Sequence, residues 1–129
     1  MNRILIIDDN PNVRSILSRL LYAQGYDVEV AEDGKKGIKL FDEMGDFDLV
    51  ISDIRMPNMD GNEVAKHIRN SDKIGTPLIA ITGFPEESHM EMFDCILLKP
   101  FSLRDLSHMV QSLVKPEFDL VTELNEENT

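Results

Sequence analysis

The chain has 129 residues, 42% of them hydrophobic, enough for one domain with a substantial core. Its formal charge of −11, from 24 acidic and 13 basic side chains, disfavours nucleic acid and anionic membranes as partners and favours a cation or a basic protein surface. No apolar run approaches the ~18 residues of a membrane span, and the single cysteine, Cys95, excludes an intrachain disulfide and suits a reducing cytoplasm.

Arg3-Ile-Leu-Ile-Ile-Asp8 is an apolar run ending in acids, too short for a signal peptide and readable as a strand buried on both faces. Asn10-Pro11 then signals a helix start. Val13, Ile16, Leu17, Leu20 and Leu21 give that helix one apolar face, and Gly25 closes it. Residues 26–31 alternate and read as a second strand at a sheet edge. Asp33-Gly34 opens a helix with Gly37, Leu40, Phe41 and Met44 on one face, ended by Gly45. Residues 48–52 form a third strand. Pro57 stops it, and Asp60-Gly61 supplies a turn. Asn62 is placed to cap a short helix with Val64, Ala65 and Ile68 inward.

Leu78–Thr82 is a fourth strand, apolar until its last residue. The polar, Met-rich segment Gly83–Asp94 supports at most two turns of helix. Its Met90, Met92 and Phe93 suit either an adaptable docking surface or a core lining. Cys95–Leu98 is a fifth strand, ended by Lys99-Pro100. Ser102 then caps a last helix with Leu103, Leu106, Met109, Val110 and Leu113 inward. Five strands alternating with five helices, at least four of the strands looking buried on both faces, specify an α/β fold: a parallel sheet with helices on both sides. Residues 1–115 make one domain, and residues 116–129, with five acids and no base, read as a weakly ordered acidic tail after Pro116.

In a parallel sheet every strand delivers its last residue to the same edge. That edge receives Asp8 and Asp9 from strand 1, Asp53 from strand 3, Thr82 from strand 4 and Lys99 from strand 5. Each residue alone has a plainer reading: helix-start acids, a turn former, a strand-end hydroxyl, a surface lysine. Their convergence is what carries chemistry. Two carboxylates ~4 Å apart repel by about 4 kcal/mol at an effective dielectric near 20, so the cluster must take up protons or recruit a cation. Oxygen ligands without Cys or His favour Mg²⁺, Mn²⁺ or Ca²⁺, and one or two carboxylates with open water positions suit Mg²⁺ shared with a phosphate. A carboxylate beside a cation, a Lys and a Thr hydroxyl is placed to attack phosphorus.

Ile6-Ile-Asp-Asp9, Ser52-Asp-Ile-Arg-Met-Pro-Asn-Met-Asp-Gly61, Ala80-Ile-Thr-Gly83 and Leu98-Lys-Pro-Phe101 together resemble the motif set of response-regulator receiver domains, over about residues 2–114. The resemblance implies a flavodoxin-like, doubly wound five-stranded parallel sheet of order 2-1-3-4-5, often with a cis peptide before the proline matching Pro100. It implies Asp53 as phosphoacceptor from a histidine kinase or phosphotransfer protein. Mg²⁺ would be held by Asp8, Asp9, Asp53 and the Arg55 carbonyl, with Thr82 and Lys99 on phosphoryl oxygens. Such a protein catalyses only its own phosphorylation and dephosphorylation and signals by docking to a downstream protein or by onward phosphotransfer. A stand-alone cytoplasmic receiver, monomeric or weakly dimeric, is the form expected.

Three features depart from the family pattern or bear on it. Ile96 stands where an aromatic switch residue is usual. The segment between Thr82 and Lys99 is short, so the fourth helix should be stunted. Arg55 and Phe84, two positions beyond the phosphoacceptor and the threonine, sit where side chains can modulate the phosphoryl lifetime. Other readings fit less well. A flavin or nucleotide site would need a Gly-rich loop after strand 1, but Asp8-Asp9-Asn10-Pro11-Asn12 is anionic and lacks glycine. An Asp-dependent phosphohydrolase would carry a second Asp where Arg55 stands. A degenerate receiver that binds partners without phosphorylation is opposed by the intact acid–Thr–Lys set but favoured by Ile96 and the short fourth helix.

Overall fold

The computed structural model describes residues 2–114. The tail over residues 116–129 lies outside the described residues. Five parallel strands, β1 (Arg3–Ile7), β2 (Asp27–Ala31), β3 (Leu49–Asp53), β4 (Leu78–Thr82) and β5 (Cys95–Leu98), form one sheet of order β2-β1-β3-β4-β5. The helices are α1 (Pro11–Ala23), α2 (Gly34–Met44), α3 (Gly61–Arg69) and α4 (Leu103–Leu113). Among the described residues no helix is long and apolar enough to cross a membrane.

Alternation along each strand divides the core into two layers. Ile4, Ile6, Leu49, Ile51, Ile79 and Ile81 face Leu17 and Leu21 of α1 and Leu106 and Val110 of α4. Leu5, Ile7, Val50 and Leu78 face Phe41 of α2 and Val64, Ala65 and Ile68 of α3. β3 and β4 are buried along their whole length, as expected of strands covered on both faces. Asn10, Asp33 and Ser102 cap α1, α2 and α4 as their sequence positions indicate.

Several expectations need correction. Asn62 does not cap α3: Asp60 does, accepting from the Glu63 amide at 2.9 Å, and Gly61 begins the helix. Ile16 of α1 (50% exposed) and Leu103 of α4 (42%) lie outside the apolar faces assigned to them. β5 is an edge strand rather than one buried on both faces: Leu97 packs on α4, whereas Leu98 is 52% exposed. The reason lies in the segment before it. In place of a shortened α-helix it forms two single 3-10 turns, Pro85–Glu87 and Met90–Met92. Two α3 side chains occupy the backbone groups that a continuous helix would use for itself. Asn62 binds the Glu87 carbonyl and the His89 amide, and Arg69 binds the Met92 carbonyl. Met92 and Phe93 line the second core layer, whereas Met90 is 65% exposed.

The loop after β3 folds back tightly. The Gly61 amide donates to the Ile54 carbonyl at 2.8 Å, and a β-carbon on Gly61 would sit 2.3 Å from the Asp53 carbonyl oxygen. Because the obstructing atom is backbone, Gly61→Ala is expected to destabilise the fold by roughly 2 kcal/mol or more. Gly75→Ala, which would meet nothing within 4 Å, should be neutral within about 0.5 kcal/mol. Urea unfolding of the two variants beside the wild type checks the contrast.

Candidate functional site

The parallel sheet brings its strand ends together at one edge. Asp8 follows β1 and is only 1% exposed. Its Oδ1 accepts from the Asn10 amide at 2.8 Å, and its backbone carbonyl accepts from the Arg14 guanidinium at 2.7 Å. Asp9, next along, is exposed. Asp53, the last residue of β3, is 5% exposed; its Oδ1 accepts from the Ile54 amide at 2.8 Å and its Oδ2 from Lys99 Nζ at 3.1 Å. Thr82 ends β4, one residue beyond Ile81, the register partner of Asp53. Its carbonyl accepts from the Lys99 amide at 2.9 Å, and its buried hydroxyl oxygen accepts from the Phe84 amide at 2.9 Å. The Lys99–Pro100 bond is cis.

One oxygen from each of Asp8, Asp9 and Asp53 lies within 4.8 Å of the others. Burial pushes the Asp8 carboxyl up to about 6; the Asn10 amide opposes the shift and the Asp53 charge adds to it. Burial also raises Asp53, against the pull of its Lys99 hydrogen bond. Asp8 Oδ2 is buried without any hydrogen-bond partner. Three carboxylates thus face one ammonium, and one buried oxygen is left unsatisfied. A hard divalent cation such as Mg²⁺ fits this donor set: it would satisfy that oxygen and offset the excess charge.

The loop after Asp53 and the start of α3 make contacts with the segment after Thr82 that have no local sequence signature. The Arg55 guanidinium forms a two-point bond with Glu87, at 2.7 and 2.5 Å, and lies 3.5 Å from the Phe84 ring centroid. The Arg55 bond holds the Glu87 carboxyl below the usual range. Asn62, 7% exposed, donates to the Glu87 carbonyl at 2.7 Å and accepts from the His89 amide at 2.8 Å. At the other end of α3, Arg69 binds the Thr76 carbonyl ahead of β4 and the Asp94 carboxylate ahead of β5, at the edge of the sheet opposite the acid cluster. Asn62 and Glu87 were not legible as partners of this region, because the groups they bind lie far away in sequence. Ile96 sits half-buried on β5 opposite Ala80, two residues before Leu98, the register partner of Thr82.

The family model described as response regulator receiver domain matches residues 4–111. Regulatory protein AtoC of Escherichia coli (strain K12) is 40% identical over 116 residues, 86% of this chain and 25% of that protein. The chain spans between about a quarter and a half of the length of the curated relatives it matches. The response regulator TrrA of Thermotoga maritima, solved in complex with Mg(2+)-BeF, is 36% identical with a TM-score of 0.80, covering 88% of this chain and 100% of that one. TrrA in complex with the histidine kinase ThkA is likewise 36% identical, with a TM-score of 0.77, covering 89% of this chain and all of TrrA.

The raised Asp8 carboxyl has a stability consequence. A folded-state value of about 6 against 3.8 means that burying the charged form costs stability above pH 6, and that the cost vanishes below about pH 4, where both states are protonated. Metal-free Asp8→Asn should therefore be more stable than wild type at pH 7, by roughly 1–3 kcal/mol. Thermal unfolding in a chelator at pH 7 and pH 4 should show the gain shrinking at the lower pH.

Proposed function

The chain belongs to the response-regulator receiver family, and from that premise we propose that it is a phosphorylatable signalling switch with Asp53 as acceptor. The observation that carries this reading is the Asp53 carboxylate itself: buried, held on one oxygen by the Ile54 amide and on the other by Lys99, with two further acids beside it. A phosphohistidine on a histidine kinase or phosphotransfer protein is the donor. An Asp53 oxygen attacks phosphorus; the P–O bond forms as the P–N bond to the donor imidazole breaks, and the imidazole nitrogen leaves with the electron pair.

Lys99 is then positioned to exchange its bond to the carboxylate for one to a phosphoryl oxygen. The Thr82 hydroxyl, whose oxygen accepts from the Phe84 amide, keeps its own proton to donate to another. Asp8, Asp9, Asp53 and the Arg55 carbonyl would hold Mg²⁺, whose contribution is to offset charge on the transferring group. The phosphoryl group adds about 1.5 to 2 negative charges to the site. Movement of Thr82 and Lys99 toward it repositions the 83–94 segment and alters docking to a downstream protein, or the phosphoryl group is passed onward. Ile96 takes the place of the aromatic switch residue in that movement.

With acetyl phosphate and Mg²⁺, intact mass should show one added phosphoryl group on the wild type and none on Asp53→Asn or Asp53→Ala. Chelation of the metal should abolish the addition. A modified Asp53→Ala protein would move the acceptor elsewhere, and an unmodified wild type would favour a receiver that docks without phosphorylation.

A further inference from the structure

The Arg55 side chain starts two residues beyond the acceptor, and its guanidinium reaches across to the segment that follows Thr82. It makes a two-point bond to Glu87 at 2.7 and 2.5 Å and stacks on the Phe84 ring. Together Arg55 and Glu87 rim a cleft of about 410 Å³ that Met56, Pro57 and Asn62 also line. Glu87 is presented there by Asn62, whose amide is used at both ends, on the Glu87 carbonyl and the His89 amide. The backbone carrying Glu87 is thus fastened to α3, which begins at Gly61 packed against the Asp53 carbonyl. The backbone carrying the acid is fastened, and the arginine is the more exposed of the two side chains.

We propose that Glu87 is a positioning residue that competes with the phosphoryl group for Arg55: the Arg55–Glu87 pair is the contact of the unphosphorylated state, exchanged on phosphorylation for an Arg55–phosphoryl contact. This rests on the receiver reading given above. The two side chains are 57% and 39% exposed, so the pair is weak enough to be displaced. A guanidinium fork binds carboxylate and phosphoryl oxygens with the same geometry. A group bringing about two negative charges to Asp53 is the stronger competitor for it. The exchange also uncovers Phe84 and leaves the Glu87 carboxylate unpaired beside Glu86. The surface at residues 84–87 then gains negative charge without any helix having to shift.

Beryllium fluoride, titrated at saturating Mg²⁺ and followed by fluorine NMR, tests the exchange on wild type, Glu87→Gln, Arg55→Gln and the double variant. Glu87→Gln should bind roughly two- to fivefold tighter, the range that release of one exposed ion pair allows. The gain should vanish when Arg55 is also replaced, the double variant matching Arg55→Gln. The Arg55 Nε–H resonance of the wild type should shift on saturation. Unchanged or weaker binding by Glu87→Gln overturns the proposal, as does a gain that survives in the double variant, which would reflect removal of a charge alone. A wild type that takes up no beryllium fluoride overturns the receiver reading and the exchange together, whereas a wild type that binds it beside an unaltered Glu87→Gln overturns the exchange only.

Discussion

The structure depends on carboxylates held where water cannot fully solvate them. Asp8 and Asp53 are 1% and 5% exposed and share a site with Asp9, against one ammonium from Lys99. Charges of one sign ~4 Å apart cost about 4 kcal/mol at an effective dielectric near 20. That is a sizeable fraction of the total stability of an ordinary domain. The fold tolerates it because β3 and β4 are covered on both faces and the two core layers leave the strand ends little freedom to move apart. The cost is lowered by any species that brings positive charge to that edge. Stability of the scaffold and affinity of the site are therefore set against each other.

Most of this was legible in the sequence because parallel sheets translate linear position into spatial position simply. Each apolar run is one strand, each run ends at the same edge, and the residue after the run is at the site. Asp8, Asp53, Thr82 and Lys99 needed no knowledge of side-chain packing to be grouped. Strand order and the cis Lys99–Pro100 bond came instead from the family resemblance, since neither periodicity nor composition specifies which strands are neighbours.

What could not be read were contacts that depend on the exact path of a loop. Asn62 looked like a helix cap because Asn beside a turn usually is one. Asp60 took that role once Gly61 was fixed by the Asp53 carbonyl, and this freed the Asn62 side chain to reach a segment 25 residues away. Glu87 sits in an acidic pair that by pattern is only a solvated turn; its partner Arg55 lies 32 residues earlier. Ile16 and Leu103 fit the helical period but lie at the margin of their apolar stripes, where period alone does not separate a buried position from a half-turned one.

The short β4–β5 connection ties these points together. A full helix there would satisfy its own backbone and cover the outer face of β5 with apolar side chains. With only two 3-10 turns, Leu98 is left exposed and backbone groups at residues 87, 89 and 92 need outside partners. Asn62 and Arg69 supply them from α3, so the connection is bound to the β3–α3 side of the molecule by polar contacts. Hydrogen bonds of that kind are directional and break at discrete positions, unlike an apolar helix face that slides over its sheet. A segment held this way is suited to exchanging one ionic partner for another at a fixed backbone. In the proposed exchange the responsive element is therefore the Arg55–Glu87 pair, formed between the loop after Asp53 and the first 3-10 turn, rather than a helix face on the sheet.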